Sequence, residues 1–267
     1  MTYGRDCQLD NEEKPKDRSS DLLDSISIAA FDVDGRIFRT VWHSLVRAPD
    51  VAQAALSGDY TRYIAPIRLF VALFGLQFVV ANVFNTPLTG NLDQLAGTLT
   101  PEQIQGWLAT GQMPDGSAVT TAAVDQAMDE WGSLFLWPIT IISSLPYLLL
   151  LKLYRPSIPF WGHVQIYLTS TNASFLFLIF MIPLITLSYG AFIAGLVVGM
   201  VIYFVVMTWL IVRFYSRTVT GTVLRTLGLL ALLPVTLAIS STGQLLVMAW
   251  TFNHEFNLSF AELMRLY

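Results

Sequence analysis

Three histidines, one cysteine and a short run of carboxylates are the side chains from which this sequence could assemble a reactive centre. A nucleophile needs a base within hydrogen-bond reach, and a zinc or calcium site needs ligands at short, fixed spacings. His43, His163 and His254 are far apart in the chain, and the topology read below sends them to the inner face, the inner membrane edge and the outer tail. Cys7 is the single cysteine, which excludes an internal disulfide and a paired-cysteine zinc knuckle. Asp125, Asp129 and Glu130 stand close together, but their spacing matches neither a calcium loop nor a two-histidine site and reads as the solvated side of a helix. No Gly-x-Ser-x-Gly, phosphate loop or His-Glu-x-x-His pattern occurs. The expectation is a protein that is not an enzyme, with no metal and no cofactor.

One short run does resemble a catalytic motif. Phe31-Asp-Val-Asp-Gly35 resembles the nucleophile motif of haloacid dehalogenase-type phosphatases, yet no long apolar strand precedes it and no soluble α/β domain follows. The match reads as accidental. The remaining chemistry is polar and uncharged. Gln165, Thr169 and Asn172 share a helix face, Ser240, Ser241, Thr242 and Gln244 lie further along, and Gln77 and the pair Ser143 and Ser144 fall near the middle of two apolar runs. Counting 1.5 Å per residue puts Gln77 level with Ser143 and Ser144, a depth that allows a bond across a helix pair and suits them as helix glue more than as substrate ligands.

What must position these groups is a membrane bundle. The chain has 267 residues, 54% hydrophobic and 13% charged, with a mean hydropathy of +0.56, whereas soluble domains are about a quarter charged. The net charge is −4, which argues against nucleic acid as a partner. Residues 1–24 mix charges of both signs without an apolar segment and are expected to form a disordered cytoplasmic tail, not a cleavable signal. Within a juxtamembrane region at 25–60, Asp34 is placed to cap an amphipathic helix. Ile37, Phe38, Val41, Trp42, Leu45 and Val46 fall on one side of it, and Arg36, Arg39, His43 and Arg47 on the other. Pro49 breaks it and opens a second short helix, Asp50 to Leu56, closed by Gly58.

Thr61 to Phe84 is the first predicted span, led in by a collar of Arg62, Tyr63, Pro66 and Arg68. The 88–132 connection that follows contains no Lys or Arg. In it, Thr100-Pro-Glu-Gln103 reads as a capping box that starts a helix through Leu108, Gly111 to Gly116 as a turn, and Thr120 to Trp131 as another helix. Further spans are expected at about Leu134 to Leu151, His163 to Leu187, Ala191 to Val212 and Leu224 to Trp250. Basic residues precede or open the first span, lie between the second and third, and lie between the fourth and fifth or at the start of the fifth, leaving only Arg265 of the 15 elsewhere. The positive-inside rule then gives an all-α integral membrane protein with five transmembrane helices, N-terminus in and C-terminus out. Its amphipathic helices are cytoplasmic and its helical loop is periplasmic. Ala191, Gly195 and Gly199 form a small-residue stripe for close helix packing within the chain or at a homodimer seam. Pro138, Pro146, Pro183 and Pro234 are expected to kink their helices.

The series Asp34-Gly, Arg39-Thr40, Leu45, Pro49, Val51, Gly58, Arg62-Tyr63, Pro66 and Arg68-Leu-Phe70 resembles the juxtamembrane signature of a bacterial multi-pass family known only as a domain of unknown function. That signature runs Thr, Leu, Arg-Pro-Gly, Tyr, Gly, Arg-x-x-Tyr, Pro into the first membrane helix, often behind a zinc-ribbon. The likeness covers about Asp34 to Phe84. Cys7 has no partner to form the ribbon, and Ala48-Pro49-Asp50 stands where Arg-Pro-Gly is expected. The resemblance implies a bacterial inner-membrane location and no particular activity. The functional expectation is a structural, accessory or interaction subunit that contacts the lipid bilayer and a membrane-protein partner or a second copy. A small transporter component is the alternative, and a lipid-modifying enzyme a third.

Overall fold

The computed structural model describes residues 35–84, 86, 92, 97, 99–186 and 189–266. The tail at 1–24, the Phe31 to Asp34 run with its capping Asp34, and residues 187 and 188 between the expected third and fourth spans lie outside the described residues. All regular structure among those described is helical. The elements are α1 (35–46), α2 (Ala48–Ser57), α3 (Pro66–Val83), α4 (Pro101–Leu108), α5 (Thr121–Tyr154), α6 (Phe160–Met181, continuing as a 3-10 segment Ile182–Thr186), α7 (Tyr189–Phe214), α8 (Val219–Phe256) and α9 (Phe260–Arg265). Five of them, α3 and α5 through α8, are long and apolar enough to cross a membrane. The chain is a multi-pass membrane protein.

Boundaries follow local chemistry. Ala65 is held at φ −59°, ψ 133°, the extended geometry imposed on a residue before proline. The first span therefore begins at Pro66 and not at Thr61. The α6 ladder gives way to 3-10 geometry at Ile182, beside Pro183, which lacks an N–H and crowds the carbonyl four residues back. Gly58 closes α2 at φ 72°. The capping box at Thr100 and Gln103 is present in full.

Two helices are much longer than the spans expected from composition. Thr120 to Trp131 is not a separate loop helix: it is the first third of α5, whose 34 residues reach about 51 Å. The 38 residues of α8 reach about 57 Å. Against a hydrocarbon layer of roughly 30 Å, both rods must project into water. They pack along each other, and their projecting ends carry a lobe whose core includes Trp107, Leu108, Met128, Phe252, Leu258 and Leu263. The Trp107 indole donates to the Ser259 carbonyl at 3.0 Å and the Trp131 indole to Glu255 at 3.0 Å. The C-terminal segment is thus built into the 99–132 region instead of trailing from it.

The opposite end is organised on α6, which packs against α2, α3, α5 and α7. Half of its membrane window is buried inside the chain, against 11% for α8. Ile166 of α6 joins Tyr147, Met207, Leu210 and Leu229 in the main core. On α7, Gly195 and Gly199 are buried and face α6. A methyl added at Gly195 would lie 2.9 Å from Met181 Cγ, and one at Gly199 would lie 2.7 Å from a terminal methyl of Leu178. These two small residues serve packing within the chain, while Ala191 is exposed.

Because membrane helices gain stability from close van der Waals fit, overpacking at Gly195 is expected to cost about 1–3 kcal/mol. Gly195→Leu should lower the thermal midpoint in mild detergent by several degrees. Gly199→Ala, which meets only the free end of Leu178, should change it little. Wild-type midpoints for both would refute the packing assigned to this stripe.

Candidate functional site

The residues around the start of the first membrane helix form a clamp in which α1 is held against the 60–65 turn. Thr40 is fully buried; its hydroxyl donates to the Arg36 carbonyl at 2.7 Å and accepts the Ile64 N–H at 3.0 Å. Ser44, one turn further and 1% exposed, donates to the Thr40 carbonyl at 2.7 Å. The Tyr63 hydroxyl lies 2.7 Å from His43 Nδ1, and Arg36 reaches the Tyr60 carbonyl at 3.4 Å. The turn itself is set by Asp59, whose carboxylate accepts from the N–H and the hydroxyl of Thr61.

This clamp divides the apolar side of α1. Ile37, Val41 and Leu45 pack on the bundle, whereas Phe38 is 73%, Trp42 60% and Val46 41% exposed. Arg39, Arg47, Arg62 and Arg68 are also exposed; Arg62 sits 5.5 Å over the Tyr63 ring. Tyr63, expected at the lipid interface, is 4% exposed and turned into the protein. Thr40 and Ser44 were not among the expected site residues. The available signal was their size and four-residue spacing, which puts two small hydroxyl side chains on the strip between the cationic and apolar sides.

Below the clamp, α2 lies across the ends of α6 and α7. It approaches α6 at Gly162, where an added methyl would lie 2.9 Å from Leu56. His163, fully buried, has Nδ1 2.7 Å from the Tyr215 hydroxyl and joins α6 to the end of α7. Asn172 donates to the Pro66 carbonyl at 2.8 Å and fastens α6 to the first turn of α3. Thr169 donates to the Gln165 carbonyl of its own helix at 2.8 Å. Of the intramembrane polar residues, Gln165, Thr169 and Asn172 are buried together on α6, and Asn172 acts as a fastener.

The bond that depth allows between Gln77 and the serines of α5 does not form. Ser143 and Ser144 donate to the Thr140 and Ile141 carbonyls of their own helix at 3.1 and 2.8 Å, an outlet that a helical serine hydroxyl always has within reach. In addition, α3 packs mainly along α6. The three histidines occupy three separate settings, with His254 stacked on Trp250 at 4.7 Å between centroids. Among the described residues no three His, Cys, Asp or Glu side chains group as metal ligands.

A family described as a protein of unknown function (DUF3667) has a model that matches residues 34–78, which are α1, its turn, α2 and most of α3. No curated protein and no solved structure matches the chain.

Partial burial, reinforced by Arg47, Arg62 and Arg39 and opposed by Asp50, lowers the His43 pKa below its ordinary 6.5. A proton then binds more readily when α1 is released. The contribution of neutral His43 is complete above about pH 6.5 and is lost as the pH falls through the lower, clamped value. An NMR titration of His43 in the full chain should give a midpoint below 6.5, and one at or above 6.5 contradicts this environment. Thr40→Val leaves the Ile64 N–H without its acceptor, at a cost of about 1–3 kcal/mol. It should raise amide exchange across 35–46 at least several-fold; unchanged exchange would mean that Thr40 does not hold α1.

Proposed function

We propose that this chain is an accessory or interaction subunit of a larger assembly in a bacterial inner membrane. Its α1 and α2 lie at the cytoplasmic face, and the lobe on α5 and α8 faces the periplasm. Arg265 aside, every Lys and Arg among the described residues lies at the α1 and α2 end, and Glu102, Asp115, Asp125, Asp129, Glu130, Glu255 and Glu262 lie at the other. That distribution supports the orientation through the positive-inside rule. The exposed ridge of Phe38 and Trp42, flanked by Arg39 and Arg47, suits α1 to the headgroup layer.

The observation that carries the subunit reading is the outer half of α8. Ser241, Thr242 and Gln244 are exposed on it, although they stand only about 24 to 29 Å along the helix from Arg225 and so within the roughly 30 Å apolar layer. Gly243 is turned toward α5, where an added methyl would meet Ile139 at 3.1 Å, and Gln244 borders the cleft between the two helices beside Leu136 and Ile139. A hydroxyl-and-carboxamide strip at that depth is best satisfied by another helix, from a membrane-protein partner or a second copy. The assignment calls for no catalytic residues and no cofactor.

A second reading, a small permease component, rests on α6. The buried Gln165 Oε1 and Asn172 Oδ1 have no hydrogen-bond partner among the described residues, and α5 and α8 carry the internal prolines Pro138, Pro146 and Pro234. Buried acceptors of this kind would suit a polar solute passing α6.

In a Cys7→Ser background, Ser241→Cys should form one cross-linked adduct of fixed mass in native membranes, and adding Thr242→Val with Gln244→Leu should reduce its yield several-fold. A chain that stays solitary in mild detergent, gives no adduct and releases small solutes from liposomes would overturn the subunit reading in favour of the permease. Reporter fusions should place the N-terminus in the cytoplasm and the C-terminus in the periplasm; both termini on one side would defeat the orientation.

A further inference from the structure

The turn between α7 and α8 gathers a charge that no carboxylate among the described residues balances. Arg155, Arg213, Arg217 and Arg225 line one open pocket of about 650 Å³ together with Ser216 and Thr218, a volume in the range of small-molecule sites. No carboxylate lines it, and the sequence has no Asp or Glu between Glu130 and Glu255. Two of the four guanidinium groups are set in place by the protein. Arg155 donates to the Phe214 carbonyl, and Arg225 sits 5.7 Å over the ring of Tyr154, whose hydroxyl donates to the Arg225 carbonyl at 3.1 Å. Gly221 keeps the floor open: a methyl there would lie 2.7 Å from the Ser216 hydroxyl and 3.5 Å from Arg225 Nη1.

The pocket continues along the membrane. It shares Ser216, Arg217 and Thr218 with a groove that adds Val212, Val219 and Val223. Beyond the contact between the Thr208 and Thr226 hydroxyls at 3.4 Å, the seam opens again into an almost wholly apolar hollow along Val197, Val201, Val205 and Leu230. A cationic basin at the membrane edge that leads into an apolar, mostly valine-lined seam has the polarity and the length of one phospholipid.

We propose that this seam is a specific site for an anionic phospholipid, with its phosphate at the four arginines and an acyl chain along the valines of α7 and α8. The site does not depend on the subunit reading. A zwitterionic lipid would wet the groove but bring a choline cation along with its phosphate into a pocket that already holds four positive charges, whereas free phosphate would meet the arginines and gain nothing from the groove. Basic pockets between membrane helices hold anionic headgroups in this way.

The full chain in neutral detergent can be titrated with dioctanoyl phosphatidylglycerol, dioctanoyl phosphatidylcholine and inorganic phosphate, counting bound molecules by native mass spectrometry. Phosphatidylglycerol should be retained as one adduct, at least tenfold more tightly than phosphatidylcholine or phosphate. Arg213→Gln with Arg217→Gln spares the Phe214 and Tyr154 contacts, and it should weaken that adduct roughly 25-fold, about fivefold per arginine, with an unchanged thermal midpoint. Val205→Trp, which fills the groove, should weaken phosphatidylglycerol and leave phosphate binding alone. Equal retention of the two lipids, indifference to the arginine pair, or phosphate as tight as lipid with no effect of Val205→Trp would each overturn the site.

Discussion

The exclusion of arginine and lysine from hydrocarbon is the constraint from which the rest of this structure follows. A cation at the bilayer centre costs at least about 2.5–3.5 kcal/mol even on the most lenient scale, so the cationic side chains can stand only where a helix leaves the membrane. Those at Arg68, Lys152, Arg155, Arg213 and Arg225 mark such exits, all at the end that carries α1 and α2. With the positions of these exits set, the chain must turn back at the 155–159 and 215–218 connections, which places the ends of α5, α6, α7 and α8 side by side beneath the clamp. The cluster of like charge at that end is therefore a consequence of crossing the membrane five times, and it is also what makes the α7–α8 seam attractive to an anion.

Polar groups that cannot leave the membrane are handled differently. A backbone or side-chain group without a partner in hydrocarbon costs several kcal/mol, so each helix must satisfy its own. Thr140, Thr169, Thr171, Thr208 and Thr236 return their hydroxyls to carbonyls of their own helices. Within the membrane-spanning part, the described bonds between helices include His163 with Tyr215, Asn172 with Pro66, Tyr154 with Arg225 and Thr208 with Thr226. Elsewhere the bundle relies on fit, with Gly195 and Gly199 admitting Met181 and Leu178. Directional bonds thus concentrate at the two ends of the bundle and steric fit serves its middle, and α6, which holds two of the cross-links, is also the most buried of the five.

The five spans were legible because hydropathy over a window of about 20 residues reports the one property the bilayer tests. The capping box at Thr100 and Gln103 was legible because its chemistry is local. What composition does not mark is where a helix stops when it leaves the membrane, since a helix can run on into water with polar residues on it. For that reason Thr120 to Trp131 read as a separate element when it is the start of α5. The C-terminal segment was illegible for another reason: its partners Trp107 and Trp131 are about 150 and 125 residues away in sequence, and pairing at that distance leaves no periodicity. At the clamp, the apolar residues of α1 are split, with Ile37, Val41 and Leu45 on the bundle and Phe38, Trp42 and Val46 exposed. This division between bundle and exterior depended on Thr40 and Ser44, whose burial could be inferred only with the Ile64 N–H in view.

The stretch matched by the family of unknown function, residues 34–78, is also a physical unit. Among the described residues, bonds that hold α1 run from Thr40 to Ile64, from His43 to Tyr63 and from Arg36 to Tyr60, and these three begin and end inside it. The segment contains both the helix and its socket, as well as most of the membrane helix that the socket introduces. Among the described residues, its attachment to the remaining chain is made by side-chain packing and by the carboxamide of Asn172 on Pro66. A unit that closes its own hydrogen bonds can keep its form while the helices around it change length, acquire a lobe or open a groove, because those changes place no demand on the Thr40 hydroxyl. The likeness covers this self-bonded unit and ends within the first span.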